Sequence, residues 1–585
     1  MLAILLPLAA AVLTYRFPFG KRYSGAVFAA ASAPAVYLGI AEVPEIASDW
    51  FILGAHFALD SPRRILLLLT GILWGISGLF SQSYMKDDKK KGTFNLFFGA
   101  AMAGNFGLLT AADVVTFYTF FALMTFASYG LVIHNKTPSA VKAARVYLVM
   151  AVIGELFIIS ALFAAVQCAG STLTADIPPA LAGAENGRLI FLLGLVGFGV
   201  KAGMIPLYFW LPLAHPAAPA PASAVLSGAM IKAGLVGWMH LAPVGLAAWP
   251  AVSLLMAGLG FAAALGAAIV GFVQSDPKTN LAYSSISQMG LMTAFLGAGL
   301  NGNIPADVLL PAIALYAFNH GTAKALLFLG TALPGSTGGR LRIFMWLGLG
   351  AAASAIAGAP LTGGMWTKYL LKNFLGEAAL PGARTFLLLL SLSAVTTTLL
   401  LGRFLYLAGQ TAPPEKAKVP PFFLPWALLL AAGGLWTMSP ALLPEGFANE
   451  VLKGKKMTAF FLNPRTVLNS LWPILLGAGG LAAAYTFKPS LRAPHAKDKP
   501  LLPPGDILFV LLRVGEIFEK QINKAIGWLR AFADTRHSAE KIMYKFTDNE
   551  KIIRISTRAE ALLRRWEVVG ISFFIFFLAL FFLLR

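Results

Sequence analysis

Long apolar runs separated by short polar or charged breaks dominate the chain. They do not alternate in the period of two that marks a half-buried strand. Most are close to the 20 or so residues that an α-helix needs to cross the hydrocarbon core. The pattern predicts spans near residues 2–15, 25–41, 64–83, 94–111, 114–134, 141–166, 188–212, 219–241, 248–273, 279–299, 307–333, 341–375, 383–408, 421–441, 467–487 and 567–584. That is an all-α, polytopic membrane protein of about sixteen transmembrane helices, since only helices and closed barrels satisfy their own backbone groups in lipid.

The character changes after residue 487. Residues 488–504 form a polar, proline-rich linker. From 506 to 565 apolar positions such as Ile507, Val510, Leu511, Val514, Ile517 and Phe518 recur at helical spacing, with Arg513, Glu516, Glu519 and Lys520 between them. This pattern predicts amphipathic surface helices that lie along the membrane or a neighbouring subunit; a tail folded back on its own bundle is the plainer alternative. The all-apolar run 567–584 reads as a terminal anchor helix.

Charge assigns the orientation. Arg16, Lys21 and Arg22 follow the first span, Lys86, Lys89, Lys90 and Lys91 the third, and Lys136, Lys142 and Arg145 the fifth. The intervening loops are acidic or neutral, with Glu42, Glu45, Asp176 and Glu185. Lys and Arg accumulate on the cytoplasmic side, so the N-terminus is expected outside. Lys453, Lys455, Lys456 and Arg465 break the rule, which suggests a miscounted span near them.

Composition narrows the class further. Of 585 residues, 58% are hydrophobic and 12% charged, against about 25% charged in an ordinary soluble domain. The formal charge of +20 sits in short inter-span loops, which fits membrane orientation better than nucleic-acid binding. The single cysteine, Cys168, argues against a disulfide framework and against a cysteine-held metal or iron–sulfur cluster. The first apolar run lacks a basic leader, so a first span is expected there rather than a cleaved signal.

Ionisable side chains at membrane depth cost about 2.5–3.5 kcal/mol each on insertion scales, which makes every one a functional candidate. The spans contain Glu155, Lys201, Lys232, His240, His320, Lys324, Lys368 and Arg403. Lys201 precedes Pro206, which frees backbone acceptors one turn away and predicts a hydrated break. His320 and Lys324 share a helix face. Lys368 follows the breaker at Pro360, Gly363 and Gly364. The rival reading of each is a snorkelling or structurally paired cation. It weighs most for Lys368 and Arg403, and His240 reads as interfacial. A buried lysine loses the solvation that holds its proton, so a row of Lys and His spaced by water-sized gaps suits a proton wire. Lys201 beside Pro206 in span seven and Lys368 after Pro360 in span twelve lie five spans apart. An odd repeat length inverts the second unit.

These residues resemble a family. Residues 201–212, with Lys201, Gly203, Pro206, Trp210 and Pro212, lead to His215, Pro219, Pro221, Ser223 and Ala224. Residues 276–290 run from Asp276, Pro277 and Lys278 to Gln288 and Gly290, and residues 319–329 include Asn319, His320, Gly321 and Lys324. In this order they look like the signatures of antiporter-like membrane subunits, over roughly residues 95–405. Such subunits occur in respiratory complex I, Mrp-type sodium/proton antiporters, membrane-bound hydrogenases and an energy-coupled inorganic-carbon uptake system. The resemblance implies two inverted five-helix repeats, with helices 7 and 12 broken. Residues 1–93 would be N-terminal transmembrane helices, 94–241 the first repeat, 248–408 the second and 421–487 additional C-terminal helices. It also implies proton translocation through Lys201, Lys232, His320, Lys324 and Lys368, without a redox cofactor on this chain. The partners would be other membrane subunits of the same complex, the lipid bilayer and protons, with Na+ as the alternative ion. A cation antiporter or carbon-uptake subunit, and a non-pumping structural subunit, remain rival readings.

Two departures matter. Ala122 stands where such subunits usually carry a helix-five glutamate that pairs with the helix-seven lysine. Tyr316 stands where some have a second histidine. Glu155 is the expected replacement acid, because it lies as far beyond the hairpin near Pro138 as Ala122 lies before it, so both reach similar depth.

Overall fold

The computed structural model describes residues 1–48, 54–377, 382–412, 414, 419–438 and 463–487. The linker, the amphipathic segment 506–565 and the anchor 567–584 lie outside the described residues, as do Lys453, Lys455 and Lys456.

The described chain is helical apart from one small hairpin. The helices are α1 (Leu2–Arg16), α2 (Pro18–Arg22), α3 (Ser24–Ile40), α4 (Ser61–Tyr84), α5 (Lys91–Thr110), α6 (Val114–Val132), α7 (Pro138–Ala169), α8 (Ile177–Gly183), α9 (Gly187–Ala202), α10 (Leu211–Ala217), α11 (Ala220–Val225), α12 (Lys232–Leu241), α13 (Pro250–Phe272), α14 (Pro277–Gly299), α15 (Ala306–Gly330), α16 (Gly339–Ala357), α17 (Gly363–Glu377), α18 (Ala383–Gly409), α19 (Phe423–Met438) and α20 (Pro464–Phe487). Local chemistry starts several of them. Asp60, Asp113, Thr137 and Asp276 each accept the backbone N–H three residues on, capping α4, α6, α7 and α14.

Nine helical stretches among the described residues are long and apolar enough to cross a membrane, with α9–α10 and α11–α12 each counted as one. The chain is a multi-pass membrane protein. Helices α14 and α15 have 23 and 25 residues but are less apolar. They are buried almost all round, so they face protein and tolerate polar side chains that lipid would not.

Loops sort to two ends. At one, His134 Nε2 meets Asp88 Oδ2 at 2.7 Å, Asn135 Nδ2 donates to Ala217 O at 3.0 Å, and Lys278 Nζ donates to Ala218 O at 2.7 Å. Arg342 joins the loop after α15 to the one after α18 through Pro334 O and Thr411 O. This is the basic end, which the charge rule assigns to the cytoplasm; it is termed the cytoplasmic end on that ground. At the other, β1 (Ile46–Ser48) pairs antiparallel with β2 (Ala55–Phe57), Phe57 bridges to Ala111, and Asp113 bridges to Leu173. The sequence pattern missed this hairpin because its strands are only three residues each.

Arg403, an ionisable candidate, is a structural clamp near the cytoplasmic end. It donates to Gln274 O at 3.4 Å and to Tyr485 Oη at 3.3 Å, tying α18 to the end of α13 and to α20. A Cβ on Gly477 would meet Thr398, and one on Gly402 would meet Leu481, so α18 and α20 run parallel. Arg465 therefore stands at the end opposite the basic loops. Its departure from the charge rule is a feature of the fold.

Candidate functional site

Two breaks in regular helix shape the interior. Helix α9 stops at Ala202 because Gly203 adopts φ +73°, where a Cβ would also lie 2.6 Å from Leu211 Cδ1. Pro206 has no N–H to continue the ladder, and a 3-10 turn, Leu207–Trp210, leads into α10. Trp210 Nε1 donates to Val200 O at 2.8 Å, satisfying one freed carbonyl. Lys201 thus sits in the last turn of a helix, where carbonyl dipoles favour a cation. The second break is a π turn, Leu226–Met230, between α11 and α12, and Lys232 opens α12 directly after it.

Lys201 is 5% exposed, and its ammonium donates to Tyr147 Oη at 3.1 Å; Tyr147 in turn donates to Thr125 O at 2.8 Å. Glu155, on α7 two turns beyond Tyr147, is 6% exposed, with the Tyr118 and Thr125 hydroxyls near its carboxyl group. Glu155, Lys201, Tyr147, Thr125 and Trp210 line one cavity of about 20 Å³, room for about one water. The two charges share that cavity without direct ion-pair contact. Sequence reasoning passed over Tyr147 by attending only to ionisable groups; its eight-residue spacing from Glu155 was the available signal.

Lys232 Nζ donates to Ser227 O at 2.8 Å and meets His320 Nδ1 at 3.1 Å. When the ammonium donates, His320 Nδ1 accepts and the ring proton resides on Nε2; that Nε2 has no partner among the described residues. Two glycines permit this contact. A Cβ on Gly321 would lie 2.5 Å from Gly228 O, and one on Gly228 would lie 3.0 Å from Gly321 O, so α15 packs backbone to backbone against the π turn.

One turn beyond His320, Lys324 is fully buried and donates to Leu281 O at 2.6 Å. Its ammonium lies 5.7 Å from the ring of Phe328, on which His215 stacks at 4.4 Å. One turn before His320, Tyr316 donates to Gln288, and Gln288 Nε2 donates to Thr397 Oγ1 at 3.2 Å. This polar link from α15 through α14 to α18 was not legible in the sequence. His240 ends α12, its ring edge-on to Phe117 at 4.9 Å, away from these contacts.

Lys368 is half-buried in the first part of α17 and donates to Ala357 O, at the end of α16, at 2.8 Å. Residues 358–362 interrupt the helix between them. Lys368 lines a separate cavity with residues of α18 and α20. Among the described residues, no three His, Cys, Asp or Glu side chains group as a metal site would require.

The sequence profile described as "NADH:quinone oxidoreductase/Mrp antiporter, TM" matches residues 111–396. Hydrogenase-4 component B of Escherichia coli strain K12 is 31% identical over 312 residues, which is 50% of this chain and 45% of that protein. A Na(+)/H(+) antiporter subunit of Alkalihalophilus pseudofirmus is 28% identical over 345 residues, 55% of this chain and 68% of that one. The chain spans about half the length of the first relatives it matches. The structure of the Mrp complex from Dietzia sp. DQ12-45-1b superposes with a TM-score of 0.72 at 23% identity, covering 98% of this chain and 62% of that one, a likeness of fold.

Proposed function

Through residues 111–396 the chain belongs to the NADH:quinone oxidoreductase/Mrp antiporter transmembrane family, and on that premise we propose that it is an antiporter-like subunit that moves protons within a multi-subunit membrane complex. Lys201, Lys232, His320, Lys324 and Lys368 carry the proton, and Glu155 is the acid that modulates Lys201. The observation that carries this reading is the buried Lys232–His320 contact at 3.1 Å, with Lys324 one turn away. Buried cations without counter-ions are costly to hold charged, so such groups serve better as exchange sites than as structure.

The same reading takes about sixteen spans, with residues 94–241 and 248–408 as inverted five-helix units. Two facts support the inversion. Helix α5 starts at the cytoplasmic end and α13 starts at the other, and each unit contains a helix break with a lysine beside it, Lys201 or Lys368.

The test is proton flux in proteoliposomes that hold the intact complex. Lys201→Ala or Lys324→Ala abolishes flux and leaves assembly largely intact; wild-type flux in either would favour a subunit that only docks partners. Cation/proton antiport without a redox partner is the second reading, favoured by the similarity to the Alkalihalophilus antiporter protein. Sodium-dependent proton movement with no electron donor present would select it.

A further inference from the structure

The cavity around Lys368 measures about 160 Å³ and is walled by residues of four helices: Ala357 from the end of α16, Lys368 and Lys372 from α17, Ser391 from α18, and Thr466, Asn469 and Ser470 from α20. Among the described residues, no Asp or Glu lines it. Lys368 and Lys372 are one turn apart on one helix face, where like charges repel unless something compensates them. Lys368 lies deeper, bonded to the carbonyl end of α16, while Lys372 is exposed. The residues from α20 belong to its first two turns, where the helix dipole is positive. Exposed Arg384 and Arg465 occupy the first turns of α18 and α20. All this positive charge lies at the non-cytoplasmic end, where the orientation rule disfavours it.

We propose that this cavity is an anion site that receives a phosphate group at the non-cytoplasmic membrane face. Lys372 supplies the charge, and Ser391, Thr466, Asn469 and Ser470 supply neutral donors of the kind that orient phosphate oxygens. The phosphate comes from the headgroup of an anionic lipid or from free inorganic phosphate. The exposure of Lys372 on α17 and of Asn469 in the second turn of α20, toward the non-cytoplasmic end, favours the lipid. Lys368 belongs to the proposed proton route as well, and the test below reads lipid binding rather than flux, so the two readings fail separately.

The test uses the full-length protein, delipidated in detergent and offered phosphatidylglycerol, phosphatidylcholine or inorganic phosphate. Retention is read by native mass spectrometry and by the shift in thermal midpoint. Phosphatidylglycerol is retained over phosphatidylcholine, and Lys372→Gln weakens it about fivefold. Lys372→Arg restores binding, and Lys21→Gln at the opposite end changes nothing. Lys372-dependent stabilisation by inorganic phosphate, with displacement of the lipid, would identify the free anion as the source. Equal retention of both lipids with no phosphate effect, or unchanged binding in Lys372→Gln, overturns the site. Lys372 is exposed, so its variants test binding rather than folding.

Discussion

Replacing Glu155 with Gln keeps the side chain's size and removes one charge from the cavity it shares with Lys201. A single bridging water would hold carboxylate and ammonium about 5–6 Å apart. At an effective dielectric constant of about 20, two unit charges at that separation interact by about 3 kcal/mol. That is roughly a hundredfold in the population of charged Lys201. Proton flux through the reconstituted complex should fall by about the same factor in Glu155→Gln, with less loss in Glu155→Asp, which keeps the charge on a shorter stem. A double-mutant cycle read by thermal midpoint isolates the pair, because Lys201→Met leaves no flux to compare: once Lys201→Met has removed the interaction, adding Glu155→Gln should shift the midpoint by less than it does alone. Wild-type flux in Glu155→Gln, or midpoint shifts that simply add in the double variant, would refute the coupling.

The glycine contact and the cytoplasmic loop latch give two further tests. In Gly321→Ala the new Cβ would lie 2.5 Å from Gly228 O, a backbone atom that cannot swing aside. Helix α15 must retreat, costing about 1–3 kcal/mol and parting Lys232 from His320; an unchanged thermal midpoint with normal flux would contradict the close packing. Burial pushes the Asp88 carboxyl up, but its bonds to His134 and the Lys90 N–H and their nearby charges outweigh this and hold it below the usual carboxylate range. A carboxyl depressed in the folded state contributes stability above its unfolded value, about pH 4, and loses it as pH falls further through the folded value. Asp88→Asn should therefore lower the thermal midpoint at neutral pH, by an amount that shrinks below about pH 4; a pH-independent difference would show that the Asp88 charge contributes nothing.

The long apolar runs made most helices legible, and the alternation of basic and acidic loops made the two ends of the bundle legible, because both follow from the cost of exposing polar groups to lipid. The buried lysines stood out for the same reason. The backbone geometry that brings them together did not. The π turn before Lys232 leaves no local signature, and Gly228 and Gly321 acquire meaning only once α15 is packed against that turn. Tyr316 read as a missing histidine, yet its hydroxyl reaches Gln288 on a neighbouring helix. Such links depend on which faces meet, and apolar helices with weak amphipathic faces do not encode that choice locally.

Glu155, on the proposed reading a displaced acid, illustrates the difference between a position in sequence and a place in space. Ala122 on α6 cannot compensate a lysine, and counted along the chain its carboxylate is simply missing. Yet Phe121 and Thr125, on either side of Ala122, line the cavity into which Glu155 of α7 also opens. Helices α6 and α7 are antiparallel neighbours across a short turn, so residues at equal distances from that turn lie level. A carboxylate moved from one helix to the next can therefore address the same point. If Lys201 carries the proton as proposed, it needs a negative charge within a water's length, and the helix that supplies it is secondary. Glu155 shares that cavity with Lys201 and with the Thr125 and Tyr147 hydroxyls, so on the proposed reading its charge reaches the lysine across a single water.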